Sequence, residues 1–166
     1  YNIRGSYGTA FRDPTFAELY NNNNPVAMGN SKLEPEEIET FELSLSGQLT
    51  DALSATITAF QNNIDNLIVA GNPSINTGRV RVQGIETEAK FAFDDRTYLA
   101  INYTMQQAKD LVTDADVADV PEQRGNIMFN LGLPRNWNLF THVLLKGSTP
   151  RAPGDLRTDD APAYAL

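Results

Sequence analysis

Three observations predict an all-β chain of antiparallel, up-and-down strands belonging to the wall of a transmembrane β-barrel. Apolar and polar residues alternate along most of the 166 positions, which gives each strand one greasy and one wet face. The connections are alternately short and long, so one rim is trimmed and the other elaborated, as with the short periplasmic turns and long extracellular loops of outer-membrane barrels. Several segments reach the ~9–11 residues of a tilted membrane strand, whereas no apolar run approaches the ~18 of a membrane helix. About seven to eight strands of a larger barrel are expected on this pattern.

The segment 1–10 reads as a first strand. Residues 11–35 follow without a steady period, rich in aromatics and with four asparagines in a row, Asn21–Asn24. They are predicted to form a long outer loop with the asparagine run as its mobile tip. In "ETFELSLSGQL" Phe41, Leu43, Leu45 and Leu49 alternate with Thr40, Glu42, Ser44, Ser46 and Gln48. "LSATITAF" repeats this with Leu53, Ala55, Ile57 and Ala59 against Ser54, Thr56 and Thr58. After a second long connection, 70–77, the pattern changes phase: Val80 and Val82 are even, while Ile85, Ala89, Phe91 and Phe93 are odd. Either a bulge at Gly84 or a stretch projecting beyond the buried zone would produce this break.

"YLAINYTMQ" sets Leu99, Ile101, Tyr103 and Met105 against Asn102, Thr104 and Gln106, and "NIMFNLGL" sets Ile127, Phe129, Leu131 and Leu133 against a more polar side. "WNLFTHVLLKG" is less regular, because Phe140 and Leu144 interrupt its polar side. Short polar turns at 50–52, 94–96 and 134–136 make hairpins. Long connections at 110–121 and 147–162 belong to the other rim. Phe91, Phe93, Tyr98 and Trp137 flank the short turns, where an interfacial girdle would sit.

Composition excludes several classes of function. There is no cysteine, hence no disulfide and no thiolate chemistry. The net charge is -8 with no basic cluster, which argues against nucleic acid as a partner. The single histidine, His142, has no nucleophile or metal-binding motif around it, so no catalytic residue, resident metal or cofactor is expected. Asp110, Asp114, Asp116 and Asp119 crowd one loop with oxygen ligands of the kind calcium takes, but without EF-hand spacing they read as a solvated acidic loop. The Asn102-Tyr103-Thr104 sequon lies inside a strand and reads as coincidence. A soluble antiparallel β-sandwich acting as a binding module would alternate in the same way, and a passive structural barrel or porin would share the strands.

Four motifs in order carry a family resemblance. Arg12, Pro14, Phe16, Glu18, Leu19 and Tyr20 come first; Leu33, Pro35 and Glu36 open the next strand; Asp65, Asn66, Leu67 and Ile68 end the following one; Gly84, Ile85 and Glu86 lie in the next. The series resembles the successive barrel segments of the TonB-dependent outer-membrane receptors, and the likeness runs on through "LAINYTMQQAKD" and "PEQRGNIMFNLGL". It implies that 1–166 is part of such a barrel, with the plug domain and the final strands outside it.

The resemblance also implies a location and a task. The location is the outer membrane of a Gram-negative bacterium, with its lipid as surroundings. The task is active import of a scarce, large nutrient such as a ferric siderophore, a cobalamin or an oligosaccharide, driven by the TonB complex acting through the N-terminal plug region. Arg12, Asp13, Phe16 and Tyr20 would then contact ligand or gate the mouth; the alternative is a scaffold in which Arg12 pairs with Asp13 or Glu18 while Phe16 and Tyr20 pack on the rim. Glu42, Glu86, Glu88 and Lys90 would face the lumen or the plug domain.

Overall fold

The structure is a computed structural model, and it describes residues 1–151, 155–157 and 160–166. Parts of the predicted 147–162 connection, at 152–154 and 158–159, lie outside the described residues. Eight strands form one antiparallel sheet in sequence order: β1 (Asn2–Arg12), β2 (Glu36–Gln48), β3 (Leu53–Val69), β4 (Ile75–Ala92), β5 (Tyr98–Asp110), β6 (Gln123–Gly132), β7 (Asn138–Lys146) and the short β8 (Tyr164–Ala165). Strand β1 does not pair with β8, so the sheet is open. The predicted short turns join β2 to β3, β4 to β5 and β6 to β7, and the long connections join the others. The second long connection is shorter than expected, because β3 and β4 run on to Val69 and back from Ile75.

Among the described residues no second layer covers the sheet. Among the described strands the buried aliphatic side chains are Val80 and Ala108 alone, whereas Leu43 is 59% exposed and Ile3 73%. A sandwich would bury its alternating apolar face against a facing sheet, so the sandwich alternative fails on this architecture.

Register settles which side chains share a face. Outside the register shifts of the β3–β4 tip, odd-numbered residues of β1 to β7 point to one side and even-numbered residues to the other, as the pairs Leu43↔Ala59, Ala59↔Ile85, Ile85↔Met105 and Ile127↔Val143 show. On the odd face apolar residues form a band, and on β4 this band runs from Ile85 to Phe93, roughly 26 Å at ~3.3 Å per residue. Tilted, that length spans most of the ~25 Å apolar belt of a membrane barrel. Phe93 packs edge-on to Phe91 and Phe129 near the short turns, and Tyr7 packs on Phe41 at the other margin with its hydroxyl donating to Glu39. Tyr98 leaves the expected girdle, because it is even-numbered and lies on the opposite face beneath the Lys90 ammonium, 4.7 Å from its ring.

The phase break has its origin in this band. Pairing runs uninterrupted through Gly84, opposite Phe60 on β3 and Gln106 on β5, so there is no bulge there. The strand is continuous and its surroundings change. Beyond the band the odd face turns polar with Gln83, Arg81 and Arg79, and the even face turns apolar with Val82 and Val80, next to Ile64 and Ala108. Loop 111–122 attaches to this patch, since Val117 N–H donates to the Ala108 carbonyl and Leu111 N–H to that of Arg79. The register does shift farther along, where Asp65 and Asn66 bulge out of β3, with Asn66 at φ 56°, and Thr77 is extra in β4.

Gly84 serves strand contact instead. A Cβ there would meet the Met105 carbonyl oxygen and Gln106 Cα, whereas one at Gly8 in β1 has nothing within 4 Å. Gly84→Val is therefore expected to destabilise the sheet by about 1–3 kcal/mol, the usual cost of overpacking. Gly8→Val should stay close to the unsubstituted protein in thermal unfolding from detergent micelles.

Candidate functional site

The long-loop rim gathers the first group of predicted residues. After Arg12 the chain leaves β1, and Thr15 caps a single helical turn, α1 (Phe16–Tyr20), that the irregular composition of this loop had not suggested. The cap is reciprocal: Thr15 Oγ1 accepts from Glu18 N–H at 3.3 Å, and the Glu18 carboxylate accepts from Thr15 N–H at 2.7 Å.

Arg12 joins this turn to the sheet. Its Nη1 and Nη2 donate to the two Glu18 oxygens at 3.0 and 3.1 Å, and its Nε and Nη2 donate to those of Glu36 at 2.6 and 2.8 Å. One planar guanidinium thus holds two carboxylates in forked pairs, which a lysine could not do. Glu36 also accepts Ile68 N–H at 2.9 Å, tying in the end of β3. The local pairing expected for Arg12 is correct for Glu18 but not for Asp13, which is exposed; the second partner, Glu36, was missed. Glu36 belongs to the Leu33-x-Pro35-Glu36 motif, which signalled a strand entry without naming the partner across the hairpin.

The Arg12 guanidinium, with Thr15 N–H behind it, lowers the Glu18 carboxyl to about 2 from an ordinary 4.5. Phe16 and Tyr20 do not pack on the rim as the scaffold reading expected. They are 79% and 53% exposed and stack on each other, ring centroids 5.0 Å apart, at the spacing of one helical turn.

The rest of the loop is fastened to the next one. Met28 N–H donates to the Gly71 carbonyl at 2.8 Å, Ser74 N–H to that of Met28 at 2.9 Å, and Asn30 Nδ2 to that of Ser74 at 2.9 Å. Asn76 completes the fastening: its amide exchanges two hydrogen bonds with the Glu34 backbone, at 2.8 and 2.9 Å, and donates to the carbonyl of the bulged Asn66 at 2.7 Å. The asparagine run forms side-chain turns, with Asn21 Oδ1 accepting from Asn23 N–H and Asn24 Oδ1 from Val26 N–H.

The second predicted group lies elsewhere, on the even face at the level of the band. Glu42 accepts from Ser6 Oγ at 2.9 Å, Glu86 faces Thr58 and Thr104 in register, Glu88 faces Thr56 and Asn102, and Lys90 lies over Tyr98. Asn102, Asn126 and His142 continue this polar face as a hydrogen-bonded chain across β5, β6 and β7. The structure thus separates the two groups along the strands. In the acidic loop Asp110 accepts from Val112 and Thr113 N–H, while Asp116 pairs with Lys109 at 3.1 Å. Among the described residues no three metal-ligating side chains converge.

An open single-layer sheet with a lipid-height apolar band on one face and fastened loops at one rim is the wall of a membrane barrel, and comparison with known proteins names the kind. The family model described as TonB dependent receptor-like, beta-barrel, matches residues 1–166. The chain belongs to the TonB-dependent receptor family. This places it in the outer membrane of a Gram-negative bacterium, and members of the family are receptors and transporters rather than enzymes.

The vitamin B12 transporter BtuB of Photobacterium profundum is 32% identical over 158 residues, an alignment covering 89% of this chain and 25% of that protein. Two solved structures share the fold: the copper transporter OprC, at TM-score 0.76 and 15% identity over 99% of this chain and 28% of that one, and the ferric-catecholate import receptor Fiu from K12 E. coli, at TM-score 0.75 and 15% identity over 98% and 25%. The chain thus spans about a quarter of the length of these relatives.

Two predictions follow from the arginine knot. Arg12→Lys should free the 13–35 loop, raising its cleavage by added protease, with a loss of about 1–2 kcal/mol for charge-assisted bonds at a half-exposed group. For Glu18 the folded value lies below the unfolded one, so its contribution is complete above about pH 4.5 and is lost as pH falls towards about 2. Pepsin cleavage of the loop should accordingly be slow at pH 4.5 and quicken progressively below it.

Proposed function

We propose that this chain forms part of the barrel wall of a receptor that binds a scarce, large nutrient at the cell surface and imports it with energy from the TonB complex. The observation that carries this reading is the family match over the whole chain together with the fastened rim loops. In this reading 1–166 is a portion of a barrel of about 22 strands. The plug domain and the segment that meets the TonB complex belong to the rest of the receptor.

The odd face meets lipid, and the even face with Glu42, Glu86, Glu88 and Lys90 lines the lumen, where those side chains meet the plug domain. The candidate ligands are a cobalamin, a ferric siderophore or an oligosaccharide. Similarity to a vitamin B12 transporter makes cobalamin the first to test, with a ferric catecholate second. A passive porin would need neither an energy source nor the strand motifs of this family.

At the mouth, Phe16 and Tyr20 form an exposed aromatic pair of the kind that grips large, flat or ring-bearing ligands. Asp13 stands exposed beside them, and Arg12 acts as a positioning residue because both carboxylates already occupy its fork.

Uptake of radiolabelled cobalamin and of a ferric catecholate should be measured in cells that carry or lack the complete receptor, each with and without a functional TonB complex. Uptake of one ligand that needs both is the expected result; uptake independent of the TonB complex would mean a porin. Phe16→Ala with Tyr20→Ala should weaken surface binding of that ligand about tenfold at unchanged receptor abundance, as loss of two aromatic contacts would. Unchanged binding would take the pair out of the site.

A further inference from the structure

On the even face one row carries charge in an order that the wall itself does not require. Glu86, Thr104, Arg124, Lys146 and Tyr164 stand side by side in register across β4 to β8. Arg124 and Lys146 are direct cross-strand partners, and like charges so placed are unfavourable without an anion between them. The Lys146 ammonium lies over the Tyr164 ring, 5.7 Å from its centroid, which keeps it on this face beside Arg124.

No carboxylate answers these two bases. Among the described residues the ion pairs involve neither of them, and Arg124 is exposed. The acids nearest by position are Glu86, two strands away across Thr104, and Glu122, two residues before Arg124. Position adds to charge: β6 begins at Gln123 and β7 ends at Lys146, so the strands stop just above the pair, whereas β4 continues from Glu86 back to Ile75. The bases therefore stand at the mouth, where an entering ligand meets them.

We propose that Arg124 and Lys146 form a subsite for an oxyanionic group of the imported nutrient, so that the receptor takes an anionic ligand and not a neutral oligosaccharide. This subsite rests on the import reading, in which the even face lines the lumen. The planar guanidinium offers parallel N–H donors to a pair of oxygens and the ammonium adds a point charge beside it, while the Thr104 and Tyr164 hydroxyls supply donors at either end. At ~4.8 Å between strands the four groups span roughly 14 Å, which suits a bulky ligand better than a single small ion. Two of the candidate ligands carry the chemistry: a cobalamin in the phosphodiester of its nucleotide loop, and a ferric catecholate in its metal-bound phenolate oxygens. A neutral sugar would leave the two bases facing each other with nothing to offset them.

Calorimetric titration of the complete receptor in detergent with cyanocobalamin, and separately with a ferric tricatecholate, reads the subsite and names which oxyanion it takes. Arg124→Gln with Lys146→Gln should weaken binding of that ligand about thirtyfold and flatten its salt dependence. Lys146→Arg should keep the affinity within about threefold, and Arg135→Gln, in a short turn at the opposite rim, within about twofold. Folding of each variant is read from the heat-modifiable shift on a denaturing gel, and seating of the plug domain from its resistance to trypsin without ligand. Should the double variant fail the folding check, Lys146→Gln alone is expected to lose about fivefold. Unchanged affinity in a folded variant would overturn the proposal, as would loss of plug protection in the ligand-free variant, which would assign the bases to a plug carboxylate. Import of a neutral oligosaccharide in place of either anion would overturn it too while leaving the import reading standing; a receptor that imports none of the three in cells with a functional TonB complex overturns both.

Discussion

The obligation of backbone N–H and C=O groups to find partners inside the sheet governs everything else in this chain. Lipid offers no hydrogen bonds, so a strand that crosses it must exchange them with its neighbours along its whole length. The ladders meet that obligation: β1 and β2 pair from Asn2↔Ser46 to Arg12↔Glu36, and β4 and β5 from Val80↔Asp110 to Ala92↔Tyr98. Because each partner is the next strand in sequence, parity alone assigns nearly every side chain to one face or the other. Function in such a wall must then be written into which residue types occupy each row.

The rows are written with a sharp boundary. Below the row of Gln61, Gln83 and Gln107 the odd face is apolar and the even face polar; above it the assignment reverses, and Val80 and Ala108 become the buried aliphatic residues of the described strands. At that height the odd face is polar, while the even side packs against the loop that returns over it. The same division explains why the arginine knot carries the loops. Arg12 and Glu36 are at the last paired step of β1 and β2, above the band, where a charged cluster joining three segments keeps its guanidinium side chain 45% exposed and escapes the cost of burial in lipid.

Much of this was readable in the residues. Alternation located β2 through β6, the hairpin turns fell where Asp94, Pro134 and the 50–52 stretch announced them, and loop lengths gave the polarity of the sheet. What escaped reading was of two kinds. The phase break near Gly84 is equally compatible with an extra residue and with a change of surroundings, since a hydrophobic pattern records only the product of backbone twist and environment. The contacts Arg12–Glu36, Glu36–Ile68 and Asn76–Glu34 join positions more than twenty residues apart in sequence, and no local periodicity encodes such a pairing. The Thr15–Glu18 capping box was visible in principle, but its helix is a single turn and has no hydrophobic period to draw attention to it.

The extension of β3 and β4 past the membrane margin has a mechanical consequence. From Gln61 to Val69 the hairpin rises for another roughly 26 Å of strand at ~3.3 Å per residue. Its tip is braced sideways by Met28, Asn30 and Glu36. The pair therefore behaves as a stiff mast, guyed by its neighbour, that lifts the tip of the 70–74 turn a nanometre or more clear of the lipid headgroups. A push on that tip is carried past the Asp65–Asn66 bulge into the uninterrupted ladder below Ile64 and so into the wall itself.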